Sequence, residues 1–112
     1  MRANHQHRQL AAGRWEELSF AEQMSNVGSE IERTISWKAK GRADFARRAF
    51  ERALELLDLT IADSRNRGRL RELLRVREAL ADYFAFDNTY RSSDEAWQRY
   101  FRFFLMAARG NR

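Results

Sequence analysis

The pattern of apolar and polar residues along this chain predicts four helices joined by three short polar connections. The clearest segment runs from Asp44 to Asp63, where charged and apolar residues recur at spacings of three and four on opposite faces. Its apolar face consists of Ala46, Ala49, Phe50, Ala53, Leu54, Leu57 and Ile61. A face this broad needs other helices around it, so we expect this segment to organise the fold.

A helix before it is predicted from Ser19 to about Lys40. The segment Ser19–Glu22 has the sequence of a capping box, and Gly41 is a natural C-terminal cap. The apolar stripe of this helix is Phe20, Met24, Val27, Ile31 and Ile35. Gly28 lies beside the stripe; either a neighbouring helix approaches closely there, or the glycine is tolerated at a cost of about 1 kcal/mol. The very short turn at Gly41 makes the first two helices antiparallel.

The third helix is predicted from about Arg69 to Phe86, after the polar turn 64–69. Its predicted apolar face consists of Leu70, Leu73, Leu74, Leu80, Ala81 and Phe84. Arg77 falls in the middle of that face, where an unpaired buried charge is too costly. Three explanations remain: Arg77 reaches the edge of the face, pairs with a carboxylate such as Asp58, Glu30 or Glu32, or faces a partner or ligand.

The last helix is predicted from Asp94 to about Arg109, with Ser92 or Ser93 as its cap. One stripe of it is ordinary core: Trp97, Tyr100, Phe101, Phe104 and Ala108. Phe103, Leu105 and Met106 do not fit on that stripe, so the helix offers apolar surface nearly all round. A second subunit is the simplest cover, and we expect Trp97, Phe103, Leu105 and Met106 to contribute to self-association. The small polar strip of the first helix, Ser25, Ser29, Glu32 and Ser36, is a possible second contact face.

Length and composition predict one domain, residues 14–112, preceded by a polar flexible tail, residues 1–13. His5 and His7 are too few for a metal site, and no cofactor is expected. The chain has no cysteine, no apolar run long enough for a membrane helix and no signal-peptide pattern, so a cytoplasmic protein without a membrane partner is expected. Trp15 is expected to pack against the helices.

The net charge of +5 includes a basic run from Arg65 to Arg77 that contains a single acid, Glu72. A phosphate or nucleic-acid site is therefore conceivable at Arg65, Asn66, Arg67, Arg69 and Arg71. A solvated arginine-rich turn is the other interpretation, and positive charge is unfavourable at a helix N-terminus. No phosphate loop, cysteine nucleophile or metal-binding pattern accompanies the arginines, so a non-catalytic protein is favoured over an enzyme.

Four helices with a polar Arg65-Asn66 turn opening the third resemble the HEPN superfamily of small helical bundles. Residues 18–30 and 47–61 are also similar to a family of small prokaryotic proteins without a characterised function. The resemblance implies an antiparallel up-down-up-down four-helix bundle that dimerises. Some HEPN proteins are ribonucleases of toxin pairs, which use an Arg, a polar residue and a His four to six residues later. Here Leu70, Arg71 and Glu72 stand where that histidine is expected.

The sequence therefore predicts an all-α, HEPN-like bundle that acts as a non-catalytic binding or regulatory module. It is expected to work through a homodimer and a second protein partner. The alternative is an RNA- or nucleotide-directed protein, a ribonuclease toxin or a nucleotidyltransferase partner, that uses the basic residues from Arg65 to Arg77.

Overall fold

The computed structural model describes residues 13–110, and all regular structure in that range is helical. Four long helices follow one another: α1 is Phe20–Ala39, α2 is Ala43–Ala62, α3 is Leu70–Ala85 and α4 is Asp94–Gly110. A 3-10 helix, Ser64–Arg69, joins α2 to α3, and residues 13–15 are also helical. The predicted all-α class is confirmed. The predicted polar tail lies outside the described residues except for its last position.

Both ends of α1 follow from the local sequence. The Ser19 side chain accepts a hydrogen bond from the Glu22 backbone N–H at 3.1 Å, and the Glu22 carboxylate accepts one from the Ser19 N–H at 2.9 Å. The predicted capping box is thus confirmed. At the other end, Gly41 has a φ of 73°, a left-handed conformation that glycine adopts without a steric cost. The chain then turns directly into α2.

The helix α1 shares the central position that was expected of α2 alone. α1 packs extensively along both α2 and α4, whereas α2 has a much smaller contact with α3. Met24, Val27 and Ile31 form the fully buried side of α1. Gly28 permits the contact with α4: because it has no side chain, Phe101 of α4 packs directly against α1 beside the apolar stripe.

Side chains link each pair of consecutive helices, and one further pair links α1 to α4. The pairs are Trp37 with Phe45 for α1 and α2, Phe20 with Phe104 for α1 and α4, Phe50 with Phe84 for α2 and α3, and Tyr83 with Asp94 for α3 and α4. Aromatic contacts of this kind stabilise a core beyond the burial of their area alone. The largest fully buried apolar side chains come from three of the helices and are Met24, Val27, Ile31, Leu57, Leu73 and Leu80.

The orientation of α3 corrects the predicted apolar face. Leu73, Val76 and Leu80 point into the core, whereas Leu70 and Leu74 are 41% and 49% exposed. The prediction that Leu70 and Leu74 belong to the core face is therefore wrong. Two apolar stripes of helical spacing overlap on α3, and the stripe that contains Arg77 is the one that faces outward. This rotation keeps the arginine out of the core, where its charge would be costly.

Candidate functional site

Buried polar side chains gather where the start of α1 meets the junction between α2 and α3. We call this group the junction network; its members are Trp15, Gln23, Thr60, Asp63 and Asn66, all buried. Trp15 Nε1 donates to Thr60 Oγ1 at 2.9 Å, so the predicted packing of Trp15 is confirmed. Gln23 Nε2 donates to the Trp15 carbonyl oxygen at 2.9 Å and to Asp63 Oδ2 at 2.8 Å. Asn66 Nδ2 donates to Gln23 Oε1 and to the Thr60 carbonyl oxygen, both at 2.9 Å.

Arg65 closes the junction network from the solvent side. Its guanidinium donates to the Asp63 carboxylate, with Nη2 at 2.7 Å from Oδ2, and to the Leu18 carbonyl oxygen at 2.8 Å. The Asp63 carboxylate also accepts from the Arg65 backbone N–H at 3.0 Å. The Arg65 hydrogen bonds, helped by Gln23, hold the pKa of Asp63 far below its usual range, although burial acts in the opposite direction.

Two of the five predicted phosphate-binding residues thus have partners inside the chain. Arg65 is engaged with Asp63 and Leu18, and both amide hydrogens of the buried Asn66 are donated. A fully satisfied buried network fixes the packing of the elements that it joins. The junction network, together with Arg65, thus links the start of α1 to the α2–α3 junction by hydrogen bonds.

The other three predicted residues, Arg67, Arg69 and Arg71, are exposed. The Arg69 guanidinium lies 4.2 Å from the centre of the Phe20 ring, which makes a cation–π contact. Arg71 lies instead along a groove of about 790 Å³ on the outer face of α3. The structure therefore distributes the predicted cluster over the 3-10 helix and α3 and does not collect it into one site.

The α3 groove combines apolar and charged walls. Leu74, Phe86 and Tyr90 supply the apolar part, and Arg71 and Arg75 supply positive charge. Phe86 and Tyr90 are held at its end by a loop that Asp82 organises, because the Asp82 carboxylate accepts the backbone N–H groups of residues 89 and 90 at 2.8 and 3.0 Å. These hydrogen bonds lower the pKa of Asp82.

Arg77 pairs with Asp58, one of the carboxylates considered from the sequence. Its Nε lies 2.7 Å from Asp58 Oδ1 and its Nη2 lies 3.3 Å from Oδ2, so the contact is bidentate. Both side chains remain more than one-third exposed. The hydrogen bond to Asp58 raises the pKa of Arg77. This charge therefore lies at the edge of the α2–α3 contact.

The outward side of α4 carries three exposed apolar residues, which we call the α4 face: Phe103, Leu105 and Met106, with exposed fractions of 68%, 40% and 63%. Trp97, predicted for the same surface, is buried instead, and its ring stacks near Phe101. It lies on the core stripe of α4, so it has no area to offer a second chain. The Trp97 Nε1 is buried and has no hydrogen-bond partner among the described residues.

Beside the α4 face, a second groove of about 370 Å³ runs between α1 and α4. Its α1 wall contains Ser25, Gly28, Ser29 and Glu32, which include most of the small polar strip singled out in the sequence. Its α4 wall contains Gln98, Phe101, Arg102 and Leu105. The two predicted contact faces are thus continuous with each other.

A further cluster lies at the turn between α1 and α2, which sequence reasoning missed. We call Trp37, Lys40, Arg42, Phe45 and Arg48 the cationic corner. The Trp37 and Phe45 rings are stacked, with centres 4.8 Å apart. Lys40 Nζ lies 5.1 Å from the Trp37 ring centre, and the Arg42 and Arg48 guanidinium carbons lie 4.3 and 5.4 Å from that of Phe45. The signal was present in the sequence, because residues 38–48 hold five basic side chains and one acid.

Between residues 13 and 110, no three His, Cys, Asp or Glu side chains are grouped so that they could hold a metal ion. The helices in the same range are too short or too polar to cross a bilayer. Comparison with protein-family models, with curated proteins and with solved structures finds no match for this chain. Fold and site together define an all-helical protein with two outer grooves and a basic corner.

Proposed function

We propose that this chain is a non-catalytic binding or regulatory module, an up-down-up-down bundle of HEPN-like type that acts as a homodimer. The observation that carries the proposal is the exposure of the α4 face on a helix whose core stripe, Trp97, Phe101 and Phe104, is already buried. Covering a Phe or Met side chain contributes about 1.5–3 kcal/mol, and the groove between α1 and α4 lies next to the α4 face, so that one partner can cover both.

Charge complementarity supports a second copy as the occupant of the groove between α1 and α4. Glu32 lies on the α1 wall and Arg102 on the α4 wall, and neither has an ion-pair partner among the described residues. A two-fold interface brings the same patch of both copies together, so Arg102 of each copy would meet Glu32 of the other. The exposed Met106 and Phe103 would lie at the edge of that contact.

The test is the molar mass by light scattering over a roughly hundredfold range of concentration. Phe103→Gln/Met106→Gln and Arg102→Glu should each shift the dimer towards monomer. The reciprocal exchange Arg102→Glu/Glu32→Arg should restore the dimer. Phe86→Gln is the matched control, since Phe86 is 75% exposed but lies in the α3 groove. A wild-type chain that stays monomeric at the highest concentration would refute the homodimer.

The α3 groove is the surface we propose for the second protein partner. The charged lining also includes Arg77, Glu78 and Asp82, but Arg77 pairs with Asp58 and Asp82 binds the loop, so Arg71 and Arg75 outweigh Glu78. An apolar wall with this excess of positive charge fits an amphipathic helix that carries carboxylates. The outward side of α4 carries Arg99, Arg102 and Arg109, so α4 of another copy is a poor match in charge. Leu74→Gln/Phe86→Gln should weaken binding of an acidic amphipathic test peptide and leave the dimer intact.

The alternative function, action on RNA or a nucleotide, is supported by the exposure of Arg67 and Arg71, which have no carboxylate partner in the described residues. Its motif would start at Arg65 and Asn66, and both of these are engaged in or around the junction network. The test is incubation of the purified chain with RNA. Cleavage that disappears in a folded Arg67→Ala/Arg71→Ala variant would favour this alternative over the non-catalytic module.

A further inference from the structure

The cationic corner joins positive side chains from three successive segments around one pair of rings. Lys40 follows the last residue of α1, Arg42 precedes the first residue of α2, and Arg48 lies within α2. The Arg42 guanidinium carbon is also 6.0 Å from the Trp37 ring centre, so it lies near both rings. Cation–π contacts of this kind hold long basic side chains in place without neutralising them.

Carboxylates compensate little of this charge. Arg42 Nε is 4.0 Å from Asp44 Oδ1, the limit for an ion pair, and both side chains are more than half exposed. Lys40 and Arg48 have no carboxylate partner among the described residues. The segment 38–48 therefore carries a formal charge of +4, from five basic residues and one acid, in a chain whose total is +5.

Helix stability explains only part of this concentration of charge. Lys38 and Lys40 lie at the C-terminal end of α1, where positive charge is favourable. Arg42 lies at the start of α2, where positive charge is unfavourable, and this N-cap residue makes no side-chain capping hydrogen bond. Arg42 thus weakens the start of α2, and Arg47 and Arg48, which lie beyond the first turn, gain nothing from the helix dipole.

From these contacts we infer that the cationic corner binds the phosphate backbone of a nucleic acid without reading its sequence. The two rings face each other and are flanked by the cations, so their faces are not open for stacking with bases. Lys and Arg side chains contribute to such binding by displacing counterions from phosphates. A membrane surface fits less well, because both rings are partly buried and offer no apolar side chain for insertion.

This inference goes beyond the proposed function and concerns a different part of the molecule. The corner lies at one end of α2 and the Arg65–Arg71 region at the other end, and a helix of 20 residues spans about 30 Å. It also shares no residue with the α4 face or with either groove. If the cationic corner does not bind nucleic acid, the proposed homodimer still stands. If the protein is not a homodimer, the inference about the cationic corner still stands.

The experiment measures the affinity of the full chain for a labelled single-stranded RNA and a labelled DNA duplex by fluorescence anisotropy at several salt concentrations. The test variant is Lys40→Gln/Arg42→Gln/Arg48→Gln. Arg14→Gln/Arg33→Gln/Arg91→Gln, at three exposed positions outside the α4 face and both grooves, is the control with the same change in net charge, and Lys40→Arg/Arg42→Lys/Arg48→Lys keeps the charge of the corner. Circular dichroism and thermal unfolding show that each variant is folded.

The test variant is expected to bind at least about tenfold more weakly, and its slope of log affinity against log salt should fall by about 2 to 3. The control should stay within about twofold of wild type, because the loss of net charge at distant exposed positions is a small effect. The charge-retaining variant should also stay within about twofold, because it keeps the positive charges at the corner. Unchanged affinity of the test variant would overturn the inference. A further variant, Arg67→Gln/Arg71→Gln, tests the other arginines, and a loss of nucleic-acid binding in this variant alone would also overturn the inference. The inference would be overturned as well if the wild-type protein bound anionic vesicles but neither nucleic acid.

Discussion

Gly28 of α1 lies directly against Phe101 of α4: a Cβ atom built on Gly28 would be 2.7 Å from the Phe101 Cβ. Atoms this close to a main chain cannot be moved by a simple side-chain rotation, so any side chain at residue 28 must push the two helices apart. The closeness of these two residues confirms the first of the two explanations that the sequence offered for a glycine within α1.

We expect Gly28→Ala to lower the free energy of unfolding by about 1–2 kcal/mol. Overpacking typically costs about 1–3 kcal/mol, and the better helix propensity of alanine returns up to about 1 kcal/mol. Urea denaturation measures the change. Gly68→Ala is the control, because a Cβ there would meet no atom within 4 Å, and it should be neutral or slightly stabilising. A Gly28→Ala protein more stable than wild type would contradict the close contact.

Asp63→Asn is expected to destabilise the protein by about 2–3 kcal/mol at pH 7, because it removes a buried, charge-assisted acceptor from Arg65 and Gln23. The folded chain holds the pKa of Asp63 below the unfolded value of about 3.9. Its contribution is therefore complete above that pH and is lost as the pH falls towards the folded pKa.

The measurement is urea denaturation of wild type and Asp63→Asn at several pH values from neutral to acidic. The difference in the free energy of unfolding should narrow as the pH drops below about 4. Asp58→Asn is the control, because its ion pair with Arg77 is exposed and is worth less than about 1 kcal/mol. A difference that stays constant down to acidic pH would show that the charge of Asp63 does not stabilise the fold.

Arg77→Met should change the free energy of unfolding by less than about 1 kcal/mol, since the pair with Asp58 is partly exposed and methionine retains most of the apolar contact. A double-mutant cycle with Asp58→Ala should give a coupling energy of about 0.5–1 kcal/mol, in the range of exposed ion pairs. A loss of several kcal/mol would instead mean that Arg77 belongs to a buried network.

Two buried tryptophans differ in whether the indole N–H has a hydrogen-bond partner. Trp15 Nε1 donates to Thr60, whereas Trp97 Nε1 has no hydrogen-bond partner. Both Trp→Phe changes lose volume, but only Trp15→Phe breaks a hydrogen bond, while Trp97→Phe removes an unsatisfied donor. We expect Trp97→Phe to be less destabilising than Trp15→Phe by about 1–2 kcal/mol in urea denaturation. Equal losses would imply that Trp97 Nε1 finds a partner in solution.

Local signals predicted the helices well. Three of these signals involve neighbouring residues only: the capping box at Ser19, the glycine after α1 and the cap at Ser93. At this last cap the Ser93 Oγ accepts a hydrogen bond from the Ala96 N–H at 3.1 Å. The face of α3 was assigned incorrectly, because the Leu70 and Leu73 stripes have the same spacing and only the surrounding helices distinguish them. The observed rotation buries Leu73, Val76 and Leu80 and leaves Arg77 at the surface, where it pairs with Asp58 of another helix.

The candidate sites were harder to predict than the helices. The exposed residues of α4 follow from helical periodicity, which also places Trp97 on the core stripe. The junction network does not, because Gln23, Thr60 and Asn66 come from separate segments and are each ordinary surface residues by type. The cationic corner depends on Trp37 and Phe45 stacking across the α1–α2 turn, which no single helix pattern contains.

The composition of the cationic corner has a chemical consequence. The chain has only two lysines, Lys38 and Lys40, and both lie at the end of α1, with Lys38 Nζ 5.0 Å from the Tyr83 ring centre and Lys40 above Trp37. Every side-chain amine of the protein is therefore at one end of the molecule. Acetylation of lysine side chains would act on that end alone, and a short lysine-to-lysine crosslink between two copies would require these ends to meet.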